Sequence, residues 1–194
     1  MKRRSAVLAT IVAAGLAAIS FAVATPAGAT SSGAQSSTNT VCPTTWGSLA
    51  KTAPSTAVSP MTNVRGGQST CYDRLVLDFR GKTTGYHVRY VNQVTMDGSG
   101  QIVPVRGGAK IQVTAFGPSY DDNGNSTYNP ANRRELVNVT GYRTFRQVAW
   151  AGSFEGNTDL GLGVRARLPF RVFYLDGPGN GSRLVIDVAH TWES

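Results

Sequence analysis

Three arginines that lie close together in the sequence are the residues best suited to binding an anionic ligand. Arg165, Arg167 and Arg171 occur within the run LGLGVRARLPFRVFYL. A guanidinium group presents a planar fork of N–H donors that fits carboxylates and phosphates. If the strands that carry these arginines pair as neighbours, the three side chains gather on one face. Gly161 and Gly163 beside them would leave an open shelf where a ligand approaches the backbone.

Two further arginines begin a repeated motif. The sequence RLVLDF starts at Arg74 and the sequence RLVIDV starts at Arg183. Residues i and i+4 of a strand share a face, so each arginine lies on the same side as the aspartate four positions later, Asp78 or Asp187. If the two strands pair antiparallel, arginine faces aspartate in exposed ion pairs worth about 0–1 kcal/mol each. The alternative is direct ligand contact, which adds Arg74 and Arg183 to the basic strip.

Carboxylates that could act as a general acid and base are present, but none stands in a recognisable catalytic motif. The candidates that could converge in space are Asp121, Asp122, Glu155 and Asp159. The run DDNGN at Asp121 is typical of Asx turns, and Glu155 lies in a glycine-flanked turn whose backbone N–H groups it could accept. We predict no catalytic residues. Because Glu155 stands in the most distinctive stretch, it is retained as a candidate ligand-binding residue.

The histidines and cysteines predict neither a metal site nor a cofactor. His87 and His190 are the only histidines and lie far apart in the sequence. Cys42 and Cys71 are the only cysteines, and in an exported protein they are expected to form one disulfide. That leaves no set of ligands with zinc-binding spacing. Although the calculated pI is 9.9, no nucleic-acid recognition motif is present, so nucleic acid is not a predicted partner.

The first 29 residues have the pattern of a secretory signal peptide. The basic start KRR precedes a long apolar run, and Ala27-Gly28-Ala29 is a suitable cleavage site. Removal of three basic residues with this segment lowers the formal net charge from +8 to +5. We predict membrane contact only through the uncleaved signal peptide, and a secreted product that is extracellular or associated with the cell wall. Residues 30–66 are predicted to be a polar tether followed by an extended segment, and residues 67–194 a single domain.

Strand and turn signals recur along the rest of the chain. Alternating apolar and polar residues predict strands at residues 71–79, 86–94, 109–116 and 182–192, and three consecutive strands within 143–175. Residues 120–134 are the longest irregular segment, and no helix longer than about two turns is indicated. This pattern predicts an all-β fold, an antiparallel β-sandwich of two small sheets. The matching first and last strands suggest pseudo-symmetry, and the disulfide would staple the N-terminal extension to the first strand.

The two RLV[LI]D strands and the segments FRQVAWAGSFEG and LGLGVRARLPFRVFYL between them resemble the AMIN-like domain of secreted and lipoprotein-type actinobacterial proteins. The resemblance covers about residues 70–193. This family is related to the AMIN domain that accompanies cell-wall amidases and secretin-type proteins. The resemblance implies a β-sandwich of two small sheets and a non-catalytic role in directing a protein to the envelope through peptidoglycan.

Together these features predict a secreted, non-catalytic module that binds peptidoglycan or an attached anionic polymer such as teichoic acid. The candidate ligand-binding residues are Arg74, Arg165, Arg167, Arg171, Arg183 and Glu155. Two alternatives remain open. One is a protein-interaction or inhibitor module that uses a sheet edge or the 120–134 loop. The other is a wall hydrolase that uses Glu155 with Asp159 or Asp122.

Overall fold

The structure, a computed structural model, describes residue 42 and residues 45–192. The predicted signal peptide and residues 30–41 of the predicted tether lie outside this range. The all-β prediction is confirmed, because every regular element in the described range is a strand. The strands are β1 (Lys51–Ala53), β2 (Met61–Gln68), β3 (Tyr72–Phe79), β4 (Tyr86–Val91), β5 (Val94–Thr95), β6 (Ile102–Val103), β7 (Ala109–Ala115), β8 (Phe145–Phe154), β9 (Asn157–Val164), β10 (Phe170–Asp176) and β11 (Ser182–Ala189).

Two antiparallel sheets form the predicted sandwich. The five-stranded sheet has the order β1-β4-β7-β9-β8, and the four-stranded sheet has the order β10-β11-β3-β2. Their inner faces meet in one core, because alternate residues of each strand point inward. Fully buried members of that core include Leu75, Leu77, Ile111, Leu160, Leu162, Leu184 and Ile186. Each such side chain contributes roughly 1.5–3 kcal/mol on burial.

No helix in the described range is long and apolar enough to cross a membrane.

The β5–β6 hairpin covers the outer face of the five-stranded sheet. A second, smaller apolar cluster lies beneath it, formed by Val94 and Val105 against Ala149 and Ala151 of β8. A Cβ atom at Gly163 would lie 1.7 Å from the backbone oxygen of Arg106. The expected open shelf at the β9 glycines is therefore wrong. These glycines admit the close approach of another backbone, which is the other use of glycine in a strand.

Regular structure begins earlier than the sequence predicted. β1 pairs with β4, and β2 pairs with β3 at the edge of the four-stranded sheet. A register shift between Met61 and Asn63 interrupts β2, so Met61 and Val64 are both buried although they are three residues apart. Such a bulge hides the period of two on which strand prediction depends. β2 was consequently missed.

The predicted disulfide is confirmed. Cys42 and Cys71 are bonded, with a Cα–Cα distance of 5.3 Å. The bond ties the segment ahead of β1 to the residue that precedes β3. The backbone N–H of Phe170 in β10 also donates to the carbonyl oxygen of Gly47 at 2.9 Å. The intervening Trp46 is thereby held beside the four-stranded sheet.

The three strands predicted within residues 143–175 are present, but they do not form one sheet. β8 and β9 pair as a hairpin, whereas β10 crosses to the other sheet and pairs with β11. Pro169 stands immediately before β10, in the connection between the two sheets. The expectation that the arginines of this stretch lie on neighbouring strands is therefore wrong.

Candidate functional site

The outer face of the four-stranded sheet carries three of the six candidate residues. β3 and β11, the strands with the repeated motif, are antiparallel neighbours in the centre of this sheet. Their register places Arg74 opposite Asp187 and Arg183 opposite Asp78, as predicted from the repeat. The two copies are thus related by a local two-fold arrangement. β10 adds Arg171 on the other side of Asp187. We call the exposed outer surface of β10, β11, β3 and β2 the arginine face.

Asp187 holds two guanidinium groups in a fixed row across three strands. Arg74 donates from Nε to Oδ1 at 2.6 Å and from Nη2 to Oδ2 at 2.8 Å. Arg171 donates from Nε to Oδ2 at 2.8 Å. The Asp187 side chain is fully buried, whereas the Arg74 and Arg171 side chains are 30% and 40% exposed. The prediction of an exposed ion pair is therefore wrong for Asp187, which is desolvated and depends on both arginines.

The charge of this row stays positive after pairing. The hydrogen bonds that Arg74 donates to Asp187 raise the pKa of the Arg74 guanidinium above its ordinary value, so this group remains charged. One carboxylate cannot neutralise two guanidinium groups. The row Arg171–Asp187–Arg74 carries a net charge of +1 on this count.

Three aromatic rings surround the same two guanidinium groups. Cζ of Arg171 lies 4.4 Å from the ring centroid of Trp46 and 5.1 Å from that of Phe173. Cζ of Arg74 lies 5.1 Å from the ring centroid of Tyr72. These distances are within the range of cation–π attraction. The Trp46 and Tyr72 rings also contact each other, with centroids 5.8 Å apart.

Sequence reasoning missed Tyr72 and Phe173, although a signal was available. Each lies two residues from an arginine of the row, Tyr72 before Arg74 and Phe173 after Arg171. Residues two apart in a strand share a face, so both rings could have been assigned to the arginine face. Trp46 could not be assigned in this way, because the disulfide and a loop bring it there.

The second predicted ion pair does not form. Asp78 faces Arg183 in register, but its carboxylate accepts hydrogen bonds from Arg65 of β2 at 2.8 and 2.9 Å. Arg65 reaches it diagonally, because Val76 is the residue of β3 directly opposite Arg65. Arg183 instead donates to the backbone oxygen of Asp176 at 2.9 Å. Its buried Nε has no hydrogen-bond partner among the described residues.

Arg165 and Arg167 are not part of this row. Both follow the end of β9, in the connection to β10, and each is fixed by other contacts. Arg165 donates to the backbone oxygen of His190. Arg167 donates to the side-chain and backbone oxygens of Ser48, each at 3.1 Å, and its Cζ lies 4.8 Å from the ring centroid of Tyr90. The predicted gathering of these two with Arg171 on one strand pair is therefore wrong.

Arg167 nevertheless borders an open pocket of about 490 Å³ at one end of the five-stranded sheet. Tyr90 and Lys110 line the same pocket. It thus presents a second basic surface. Whether Arg165 and Arg167 contact a ligand stays a prediction.

Glu155 lies at the tip of the β8–β9 hairpin, in the five-stranded sheet. It has a φ of 46° and the following Gly156 has a φ of 84°, as in a two-residue hairpin turn of type I′. The N–H of Gly156 donates to the hydroxyl oxygen of Tyr120 at 3.1 Å. No donor among the described residues contacts the exposed Glu155 carboxylate, so it does not hold the turn in the way the sequence suggested.

The acidic loop has the structural role that its sequence indicates. Asp121 Oδ1 accepts the backbone N–H groups of Asn123 and Asn125 at 3.0 and 2.9 Å, which confirms the Asx turn. These bonds, with that to Asn125 foremost, lower the pKa of the Asp121 carboxyl. Among the described residues, no three His, Cys, Asp or Glu side chains form a group that could hold a metal ion.

A buried polar cluster that sequence reasoning missed joins the two sheets. Asp73 of β3 accepts the backbone N–H groups of Thr144 and Phe145 at 2.6 and 2.8 Å, at the start of β8. The Nε2 atom of His190 lies 3.0 Å from the other carboxylate oxygen. Asp73 thereby fixes the start of β3 and the chain after β11 against the start of β8.

With this geometry in place, comparison with known proteins identifies the family. The sequence model of the AMIN-like domain matches residues 59–190. The chain belongs to the AMIN-like domain family. The resemblance predicted from the repeated strands is thus confirmed, and the match includes β2 and all the later strands. No curated protein sequence matches the chain. Membership of the AMIN-like family indicates a binding module related to the cell wall.

Proposed function

We propose that this protein is a secreted, non-catalytic module that binds peptidoglycan or an anionic polymer attached to it, and that the arginine face contacts the polymer. Membership of the AMIN-like family supports the envelope role. The observation that carries the proposal is the Arg171–Asp187–Arg74 row, with aromatic rings against both guanidinium groups. The disulfide agrees with an oxidising, extracytoplasmic compartment.

The row is prepared to accept anions without reorganisation. Asp187 fixes Arg171 through Nε alone, so both terminal nitrogens of that guanidinium are left for a ligand. The carboxylates of wall stem peptides and the phosphates of teichoic acids are acceptors that fit such donors. Because the guanidinium groups are already ordered, little side-chain entropy is lost on binding.

The shape and charge of the arginine face suit an extended polymer. Arg65, Arg74, Arg171 and Arg183 supply four positive charges, and Asp78 and Asp187 supply two negative charges, so the face carries a net charge of +2. The half-buried rings of Trp46, Tyr72 and Phe173 offer apolar surface to the faces of sugar rings. A flat sheet surface with these groups can contact several units of a chain at once.

Co-sedimentation of residues 30–194 with purified peptidoglycan, with and without its teichoic acid, tests this proposal. The test variant is Arg171→Gln with Arg183→Gln, which leaves the bidentate Arg74–Asp187 pair in place. The matched control is Arg133→Gln with Arg134→Gln, which removes the same charge from two exposed residues of the irregular loop. We expect the test variant to lose about tenfold or more in affinity and the control to lose little.

Repeating the co-sedimentation at different salt concentrations distinguishes binding at a defined site from general charge attraction. Attraction between exposed charges is largely screened above about 0.1 M salt. Equal losses in both double variants, together with loss of all binding at that salt concentration, would show that only net charge matters. Absence of binding to either wall preparation would overturn the proposed function.

A further inference from the structure

A polar pocket lies between the β5–β6 hairpin and the outer face of the five-stranded sheet, on the other sheet from the arginine face. Its volume is about 410 Å³, which is within the usual range for small-molecule sites. The hairpin contributes Thr95 and the turn around Asp97. The sheet contributes Arg89 of β4, Gln112 and Thr114 of β7, and Asp159 of β9.

Asp159 is the unusual group in this pocket. Its side chain is only 1% exposed. Oδ1 accepts hydrogen bonds from Thr114 Oγ1 at 2.5 Å and from Gln112 Nε2 at 3.3 Å. Oδ2 is also buried and has no partner among the described residues. A buried carboxylate oxygen without a donor is costly, so its retention requires an explanation.

The two side chains that donate to Asp159 Oδ1 cannot supply the missing donor as well. Gln112 uses its amide oxygen to accept the N–H of Thr95, and its amide nitrogen donates to Thr95 O as well as to Asp159. The Thr114 hydroxyl proton is already donated to Oδ1. Asp97 brings a second carboxylate to the pocket, and it raises the pKa of Asp159 in addition to the larger effect of burial. The pocket therefore holds two carboxylates and one guanidinium, that of Arg89, which makes no hydrogen bond to Asp159.

We propose that this pocket binds a ligand with a primary ammonium group, which donates to Asp159 Oδ2 and to Asp97, and with a neighbouring oxygen that accepts from Arg89. An ammonium group carries three donors and a positive charge, so it complements two carboxylates in one pocket. Arg89 provides N–H donors at the same site and opposes a ligand that is purely cationic. Amino acids and amino sugars share this chemistry.

The turn of the hairpin gives such a ligand a way to reach Oδ2. Gly98 and Gly100 have φ values of 72° and 67° and line the pocket with exposed backbone. Gly98 lies against the half-exposed ring of Phe154, and a Cβ atom at Gly100 would meet no heavy atom within 4 Å. The turn is bonded mainly within itself, through Gly98 N to Asp97 Oδ1 and Gly100 N to Met96 O. The described residues show no hydrogen bond from this turn to the five-stranded sheet, so displacement of the turn would open a path to Oδ2.

The test is an NMR titration of residues 30–194 with four probes. Glucosamine and lysine carry the primary ammonium group, whereas N-acetylglucosamine and Nα,Nε-diacetyl-lysine have the same skeletons without it. We expect shifts of the amides of Thr95, Asp97 and Asp159 with one or both amines and none with their acetylated partners. Binding of glucosamine alone would identify an amino-sugar ligand, and binding of lysine alone would identify an amino acid.

Substitutions of the two pocket aspartates test whether the chemical-shift changes come from binding in this pocket. Asp159→Asn keeps the shape of the side chain and removes the charge, so we expect at least about tenfold weaker binding. Asp97→Asn, at an exposed position, provides an independent test at the second carboxylate of the pocket. Asp176→Asn, an exposed aspartate at the end of β10, is the matched control. No shift with either amine up to about 10 mM, or shifts unchanged in both test variants, would overturn the proposal. Because this pocket and the arginine face are on different sheets, neither result decides whether the protein binds peptidoglycan.

Discussion

At the scale of single residues, Asp187 has the largest structural effect on the arginine face. It is fully buried and orders two guanidinium groups, so its loss would leave both arginines without their carboxylate and would create a gap between β10 and β3. We expect Asp187→Ala to lower the free energy of unfolding by about 3–5 kcal/mol. Urea denaturation followed by tryptophan fluorescence measures this change.

Asp78→Ala is the matched control for that experiment. Asp78 occupies the corresponding position of the repeat, but its side chain is 20% exposed and binds one arginine that is half exposed. A surface pair of this kind contributes about 0–1 kcal/mol. If Asp187→Ala and Asp78→Ala lowered the free energy of unfolding by the same amount, Asp187 would not be acting as a buried centre for two arginines.

Asp159 makes stability depend on pH in a direction opposite to most aspartates. Burial raises the pKa of its carboxyl above the ordinary value of 3.8, with a smaller contribution from Asp97, while Thr114, Gln112 and Arg89 oppose the shift. Between the unfolded and the folded pKa, the folded protein keeps a proton that the unfolded chain has lost. Stability linked to this group is therefore complete below the unfolded pKa and falls as pH rises through the folded pKa.

The Asp159→Asn variant mimics the protonated carboxyl at every pH. We expect its melting temperature to match that of the wild type near pH 3 and to exceed it increasingly towards pH 7, since only the wild type pays for ionisation. Thermal unfolding followed by circular dichroism at several pH values measures the difference. A difference that does not change with pH would contradict the raised pKa.

The residue-scale predictions from sequence succeeded where pairing depends only on register. The repeat fixes which positions of β3 and β11 share a face, and this gave the Arg74–Asp187 pair. The partner of Asp78 was not predictable, because it comes diagonally from β2, a strand whose bulge conceals its pattern. The proximity of Arg165 and Arg167 to Arg171 in sequence was misleading, since β10 belongs to the other sheet.

At the scale of elements, the close packing on β9 of the segment that follows the β5–β6 hairpin depends on glycine. A Cβ atom at Gly163 would lie 1.7 Å from Arg106 O and 2.9 Å from a methyl carbon of Val105. We expect Gly163→Ala to push Val105 and Arg106, together with the hairpin that precedes them, away from the sheet at a cost of about 1–3 kcal/mol. Hydrogen exchange should become faster in β5 and β6, while exchange in the four-stranded sheet should change little.

Gly67→Ala provides the corresponding control in β2. A Cβ atom at Gly67 would meet no heavy atom within 4 Å. The same added methyl group should therefore leave stability almost unchanged. Comparable destabilisation by both substitutions would mean that strand propensity, and not the contact of the hairpin with β9, explains the effect.

The sequence identified the strands better than it identified their neighbours. β3, β4, β7, β8, β9 and β11 all show alternating apolar residues, and all were predicted. Glycines in β9 indicate either an open surface or the close approach of another backbone, and the sequence alone does not distinguish these cases. The polar pocket beneath the hairpin was unpredictable for the same reason, since it exists only because β5 and β6 cover that face.

At the scale of the whole molecule, the sandwich separates two kinds of binding chemistry. The arginine face of the four-stranded sheet is basic and broad, and the pocket over the five-stranded sheet is smaller and is lined by two carboxylates and one guanidinium. Asp73 joins the sheets through its bonds to Thr144, Phe145 and His190. The overall charge and the all-β class could be obtained from composition and pattern, whereas this division required the three-dimensional arrangement.

The most direct test of the arginine face as the polymer site is NMR mapping of the isotope-labelled domain with soluble peptidoglycan fragments at about 0.1 M salt. The account predicts that shifts concentrate on β10, β11 and β3, around Arg171, Phe173 and Arg183, and that the indole N–H of Trp46 responds with them. The Arg171→Gln and Arg183→Gln double variant should lose these shifts while keeping its dispersed spectrum. Shifts confined to the five-stranded sheet or to the 120–134 loop, with this face unchanged, would contradict the account.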